Sequence, residues 1–327
     1  EHGLPGRAYH AGIDINPTAT WWEQSKPFID YLSRSSYLLS QGLFVGDVAY
    51  YYGDKAPNFF PELQGDPNRP RLDGLNAGND FDVVNTDVIL NRMDVSDGKL
   101  MLPDGMNYSL LVLPDRDDIP DVVINKVEEM VAAGAHVLIQ NPDIAQDFSG
   151  DVLQNMTIDD ALARLSIAKD FTGNENTLEF IHRTIGDLDL YFVRNTTAEP
   201  ISEVVEFRVQ NKSAEFWDPV TAQQFSISNA VTANGKTSVN LQFPAYGSGF
   251  IVFVNEYREL PEYNRAGESQ TTIIRGPWTL SFPENWGAPP SVELDELISW
   301  TDHENEGINY FSGTATYSNR FNICLLY

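Results

Sequence analysis

The sequence predicts an α/β layer with a parallel sheet, followed from about residue 178 by antiparallel β structure. Three observations predict it. The apolar runs 108–114 and 136–140 flank a stretch of helical periodicity, the order of a βαβ unit. Beyond residue 178, short alternating or apolar runs recur at roughly ten-residue spacing, as in a small sandwich. Apolar residues make up 42 % of the 327, ample for packed cores.

Residues 1–24 are rich in Gly, Pro and aromatics and read as an irregular loop. A helix follows, with Ser25 placed to cap it and Pro27 in its first turn. Phe28, Leu32, Ser35 and Leu39 recur at steps of four and three, so this face is expected to meet a core, with Gly42 closing the helix. Residues 45–52 form a short β-rich run, and 53–80 read as loop. Asn85 can cap a helix carrying Val88, Ile89 and Arg92. The strand 108–114 leads to a helix opened by Ile119 and Pro120. That helix turns Val123, Val127, Met130 and Val131 inward and is closed by Gly134. Strand 136–140 completes the βαβ unit.

The antiparallel part is expected at 178–182, 189–193, 204–209, 214–219, 239–243 and 249–254, with Gly186-Asp187 as a turn. Residues 255–270 are polar and linker-like. A second β unit begins at 271 and includes 273–282.

With 47 acidic against 21 basic residues the formal charge is −26, which argues against nucleic acid as a partner. The single cysteine, Cys324, excludes a disulfide within the chain. No two of the five histidines stand at an HExxH spacing, and no apolar run reaches the roughly 20 residues that span a bilayer. The α/β layer carries no GxGxxG, no GxxxxGK[ST] and no nucleophile elbow, so it reads as structural. The chain opens on Glu1 without Met and stops within the apolar run 323–327, so both ends read as cuts through larger domains.

Four stretches, in order, resemble glycoside hydrolase family 106, the α-L-rhamnosidases. Residues 12–27, with Tyr31-Leu32-Ser33-Arg34 and Tyr37-Leu38-Leu39-Ser40-Gln41-Gly42, look like the closing stretch of that family's (β/α)8 barrel. Residues 81–87, Asp97-Gly98-Lys99-Leu100 and 102–106 look like the amidotransferase-like domain after the barrel. Trp217-Asp218-Pro219 and Tyr246-Gly247-Ser248 resemble the β domain that follows. Gly276-Pro277-Trp278, Trp300 and 307–317 resemble the start of a galactose-binding-like jelly-roll domain. The resemblance thus implies a C-terminal fragment: 1–43 the end of the barrel, 44–177 amidotransferase-like, 178–256 a small antiparallel β domain, and 271–327 a truncated jelly roll.

The resemblance further implies inverting hydrolysis of terminal α-L-rhamnosides in a plant or algal polysaccharide, outside the cell or in the periplasm. The family uses two barrel glutamates and calcium. The glutamates precede the Trp-Trp-Glu stretch and so match no position in this chain, and no calcium ligand can be assigned. The chain alone is expected to be inactive. Trp21 and Trp22 stand where barrel sites lie; they either stack on a sugar ring or pack under the helix. Glu23 either binds sugar hydroxyls or favours the helix N-terminus. His10 shares the loop and is a candidate sugar contact, while Asp14 and Asn16 accept hydroxyl bonds or form Asx turns.

Asp115, Asp117, Asp118 and Asp121 form either a calcium loop or a solvated one, and lack EF-hand spacing. Trp278 and Trp300 are either core or a sugar platform. Two rival readings stand beside the hydrolase. One is a non-catalytic carbohydrate-binding protein. The other is an amidotransferase, disfavoured because Cys324 lies far from the α/β layer.

Overall fold

A computed structural model describes residues 17, 19, 21–54, 72–263 and 273–321. The chain is mixed α/β, mostly strands in several sheets with few helices, and divides into two units, residues 1–265 and 266–327. His10, Asp14, Asn16 and Cys324 lie outside the described residues. Among the described residues no helix is long and apolar enough to cross a membrane.

The first unit opens with helix α1 (Lys26–Leu39), then β1 (Leu43–Phe44) and β2 (Val48–Tyr51). Next come β3 (Phe81–Val84), α2 (Thr86–Asn91), β4 (Asp94–Ser96), β5 (Lys99–Met101), β6 (Asn107–Tyr108) and β7 (Leu110–Leu113). Then α3 (Asp121–Ala132), β8 (Val137–Ile139), α4 (Pro142–Asp147) and α5 (Ile158–Arg164) complete the α/β layer. Its sheet is parallel throughout, ordered β3-β2-β7-β8, with β7, α3 and β8 as the expected βαβ unit. Strand side chains alternate between faces, so Ala49, Tyr51, Leu111 and Leu113 pack toward α3, with Val123, Val127 and Met130. Val48, Leu110 and Val112 pack on the opposite side with Ile158, Ala161 and Leu162 of α5. Burial on both faces explains why β7 is continuously apolar. As expected, Asn85 Oδ1 accepts the Val88 N–H at 3.0 Å and starts α2.

The antiparallel part comprises β9 (Phe171–Thr172), β10 (Leu178–Ile185), β11 (Leu188–Asn195), β12 (Ile201–Phe207) and β13 (Ser213–Trp217). It continues through β14 (Gln224–Ser226), β15 (Val231–Ala233), β16 (Lys236–Phe243) and β17 (Ser248–Val254). Two sheets result, β1-β10-β11-β17-β13-β14 and β15-β16-β12-β9. Between them lie Tyr191, Val205, Phe207, Phe216, Leu241, Phe243, Ile251 and Phe253, all buried. At about 1.5–3 kcal/mol per fully buried large side chain, this aromatic layer is a principal stabiliser.

Every residue of β17 after Ser248 is buried. Ile251 and Phe253 face the sandwich interior, while Phe250, Val252 and Leu190 form a second apolar surface with Leu38 and Leu39 of α1. Helix α1 is therefore seated on the outside of the larger sheet. This corrects the expected orientation: Phe28 is 49 % and Leu32 37 % exposed, and the seated stripe is Tyr31, Ser35, Leu38 and Leu39. The helix has rotated toward the surface that β17 offers.

The second unit holds β18 (Trp278–Ser281), β19 (Ser291–Leu294), the short helix α6 (Glu306–Asn309) and β20 (Thr316–Ser318), with sheet order β19-β18-β20. Leu280, Phe282, Leu294 and Ile308 are its core, and Trp278, Trp300 and Phe311 pack against it. Both tryptophans thus serve packing, and Trp300 Nε1 donates to Tyr317 Oη at 2.5 Å.

Candidate functional site

Two places concentrate chemistry. The first is the turn before α1. The Trp22 N–H donates to Ala19 O at 3.1 Å, Gln24 N–H to Trp21 O at 2.9 Å and Ser25 N–H to Trp22 O at 3.0 Å, which winds 22–24 into a 3-10 turn. Ser25 occupies the N-cap position but is buried, and its side chain makes no capping bond. Trp21 stands edge-on to Phe28, ring centres 6.4 Å apart, and keeps 37 % of its surface exposed. Trp22 is half-buried and Glu23 exposed. The structure brings Trp21, Trp22 and Glu23 together in a single turn, while His10 lies outside the described residues. An exposed indole beside an exposed carboxylate can stack on a sugar face and accept a hydroxyl bond.

The turn is held by the seating of α1. Tyr31 Oη lies 2.8 Å from Ser248 Oγ, and Arg34 Nη1 donates to the carbonyls of Pro219 and Val220, each at 2.9 Å. After the helix the backbone reverses at Gly42, φ +60°. A Cβ there would fall 1.9 Å from Thr184 O, so only glycine fits. Arg183 Nε donates to Gln41 O at 2.5 Å and its Nη2 to Gly42 O at 2.8 Å, and β1 then pairs with β10.

The second place was not singled out from the sequence. His182 on β10 is 4 % exposed, with Nδ1 2.8 Å from Asp170 Oδ2 and Nε2 3.2 Å from Asp189 Oδ1. Tyr191 stacks on its ring at 3.8 Å and donates to Asp170 Oδ1 at 2.8 Å. Arg208 Nη1 lies 3.0 Å from Asp47 Oδ1, its Nη2 donates to Asp47 Oδ2 at 3.2 Å, and its Nε is 3.5 Å from Asp170 Oδ1. Lys212 Nζ donates to Asp189 Oδ2 at 2.7 Å, and Asn79 Nδ2 to Asp47 Oδ2 at 2.6 Å. These residues come from the α/β layer and the sandwich, and Asp47, Asp170, His182, Asp189 and Arg208 border a cavity of about 240 Å³.

Burial opposes charging of His182, yet Asp170 and Asp189 outweigh it and hold its pKa above the ordinary imidazole value. Burial raises Asp189, but the His182 and Lys212 bonds outweigh that and lower it. Burial, then Asp170, pushes the Tyr191 hydroxyl well up. Each carboxylate here already has protein partners, so the cluster reads as a satisfied polar network that rigidifies rather than a vacant substrate site. A histidine flanked by acids in space but not in sequence leaves no local signal.

The acidic loop after β7 is closed on itself. Arg116 Nε and Nη2 bind Asp118 at 2.8 and 2.9 Å, and Asn141 Nδ2 donates to Asp117 Oδ1 at 3.2 Å. Among the described residues no three His, Cys, Asp or Glu side chains converge as a metal centre would need. Asp117 and Asp118 are thus engaged by Asn141 and Arg116.

The α-L-rhamnosidase family model matches residues 2–149 and 144–230, most of the chain. The chain belongs to glycoside hydrolase family 106. Its fold is similar to that of a rhamnosidase from Novosphingobium sp. PP1Y, with a TM-score of 0.75 and 26 % identity, covering 95 % of this chain and 32 % of that one. It is 31 % identical over 285 residues to a Formosa agariphila protein provisionally named a β-glucuronidase, covering 78 % of this chain and 23 % of the relative. The chain thus spans about a quarter to a third of the length of these family relatives.

Proposed function

We propose that this chain is the C-terminal part of an exo-acting enzyme that releases terminal α-L-rhamnose from a plant or algal polysaccharide with inversion. The observation that carries the reading is the family match through 2–149, which takes in the Trp21-Trp22-Glu23 turn and α1. In this reading α1 is the last helix of a (β/α)8 barrel, and residues 44–177 are an amidotransferase-like layer. Residues 178–256 then form a β domain, and 271–327 open a jelly roll. The enzyme works outside the cell or in the periplasm.

Inversion needs a carboxylic acid to protonate the leaving oxygen and a carboxylate to activate water, about 6.5–9.5 Å apart. Both are assigned to glutamates upstream of this chain; the family's calcium has no ligand assigned in this chain. This chain's share is to hold the Trp21–Glu23 turn at the mouth of the sugar site, with His10 as a further contact. Trp21 and Trp22 offer stacking faces, and Glu23 a hydroxyl acceptor.

The test is hydrolysis of an aryl α-L-rhamnoside by the full-length enzyme, with NMR of the first-formed anomer. The expected outcome is β-L-rhamnose from the full-length enzyme and no turnover by the 327-residue chain. Retained configuration would overturn the mechanism. Turnover of an aryl β-D-glucuronide in place of the rhamnoside would overturn the substrate.

A further inference from the structure

We propose that His182 is held as an imidazolium between Asp170 and Asp189, and that this charge makes the junction of the parallel sheet and the sandwich a latch that loosens as pH rises. The argument begins with hydrogen-bond capacity. An ionised carboxylate only accepts, and a neutral imidazole donates from one nitrogen alone. His182 presents both nitrogens to carboxylate oxygens, at 2.8 and 3.2 Å. Only the doubly protonated ring satisfies both.

Charge balance agrees. Asp170 before β9 and Asp189 and Tyr191 on β11 face the ring, and Arg208 and Lys212 after β12 pair with those two carboxylates. Asp47 before β2 joins through Arg208, and Lys99 of β5 lines the adjoining cavity. With His182 charged, the bonded set of Asp47, Asp170 and Asp189 against His182, Arg208 and Lys212 is neutral. With it neutral, the set carries one uncompensated negative charge in a protein whose formal charge is already −26. An imidazole lone pair then also faces a carboxylate, a repulsion that burial magnifies.

The ring sits at a junction. The Val45 N–H, two residues before Asp47, donates to His182 O at 3.1 Å, and the Arg208 N–H donates to Asp170 O at 2.9 Å. Asp170 and Phe171 N–H both reach Gly78 O, at 2.7 and 3.0 Å. Loss of the charge on His182 therefore weakens Asp170, and through Asp170 and Arg208 the tie to Asp47 at the start of the parallel sheet.

The sign follows from linkage. A group whose pKa is higher folded than unfolded stabilises fully below the unfolded value, about 6.5 for histidine, and the stabilisation is lost as pH rises through the folded value. The latch is closed at mildly acidic pH and opens on the alkaline side.

The test uses the 327-residue chain. Imidazole ¹⁵N NMR of the wild type at about pH 7 is expected to show both His182 nitrogens protonated. A neutral ring there would overturn the proposal. Melting temperatures at about pH 6 and about pH 9 are then compared for wild type and His182→Gln. The wild type is expected to lose on the order of 5 °C more than the variant over this range, because the variant has no charge to lose there. Equal losses in both proteins would overturn the latch. The NMR arm decides even where the variant does not fold.

Discussion

Asp47 and Arg208 meet across the boundary between the parallel sheet and the sandwich, guanidinium Nη1 3.0 Å from carboxylate Oδ1. They are 161 residues apart in sequence. Asp47 is buried and also takes the Asn79 amide, and Asp47 O accepts the N–H groups of Ser109 and Leu110 at the start of β7. The pair therefore links the edge of one core to the end of β12 in the other.

Removing one partner leaves the other charge partly buried. Arg208→Met is expected to cost about 2–3 kcal/mol, below the usual figure for a fully buried pair because Arg208 keeps 27 % exposure. Asp47→Asn should cost a similar amount, and the double variant much less than the sum. Chemical denaturation of the four proteins checks this; additive losses would mean that the two residues do not act together.

Gly42 and Gly186 separate backbone strain from collision. Both have φ near +60°, but a Cβ at Gly42 meets Thr184 O at 1.9 Å, whereas at Gly186 nothing lies within 4 Å. Gly186→Ala should cost about 1 kcal/mol, the left-handed penalty alone. Gly42→Ala should cost more than about 2 kcal/mol, because the seat of α1 and the pairing of β1 with β10 must shift. Equal denaturation midpoints for the two variants would contradict this reading.

Asp189 governs the acid side. Its pKa is lowered, so its stabilisation is complete above the ordinary carboxylate value, about 3.9, and is lost as pH falls through the lowered one. In Asp189→Asn the drop in melting temperature between about pH 5 and about pH 2 should be smaller than in the wild type. An unchanged drop would assign the acid lability to other carboxylates.

The elements read most easily are those whose burial is two-sided or strictly alternating. The runs at 110–113 and 248–254 are continuous because both faces are covered. Strand β3 escaped notice because it is an edge strand, where Asp82 is tolerated and accepts the Tyr108 hydroxyl at 3.0 Å. The hairpins at Asp97-Gly98 and Asn234-Gly235, each with both turn residues at positive φ, were not read from the sequence, although such dipeptides suit a two-residue turn. Of the expected α1 stripe, Ser35 and Leu39 are seated and Phe28 and Leu32 are not, because spacing gives a stripe but its exact centre depends on the partner surface, here Phe250 and Val252 of β17. The His182 cluster was illegible for a similar reason. Its members are drawn from positions 47 to 212, and only the meeting of two layers makes them neighbours.

The last prediction concerns Trp21 and Trp22 in the full-length enzyme. The two indoles share one 3-10 turn yet differ in setting: Trp21 is 37 % exposed with its edge on Phe28, and Trp22 is half-buried. A stacking indole that keeps its contact in the transition state should contribute about 1–3 kcal/mol, so Trp21→Ala should lower kcat/KM about 5- to 150-fold. Trp21 is more covered than exposed and packs on Phe28, so Trp21→Ala should also lower the melting temperature, and the activity loss should exceed what that accounts for. Trp22→Ala removes a partly packed side chain beside buried Ser25 and should lower the melting temperature as well. The decisive measurements are kcat/KM on a small aryl rhamnoside and the melting temperature of each variant. If kcat/KM survives in both, the turn is only the start of α1, and the sugar contacts lie elsewhere in the enzyme. If Trp21→Ala loses kcat/KM in the fraction that remains folded, the exposed part of the indole is a substrate contact.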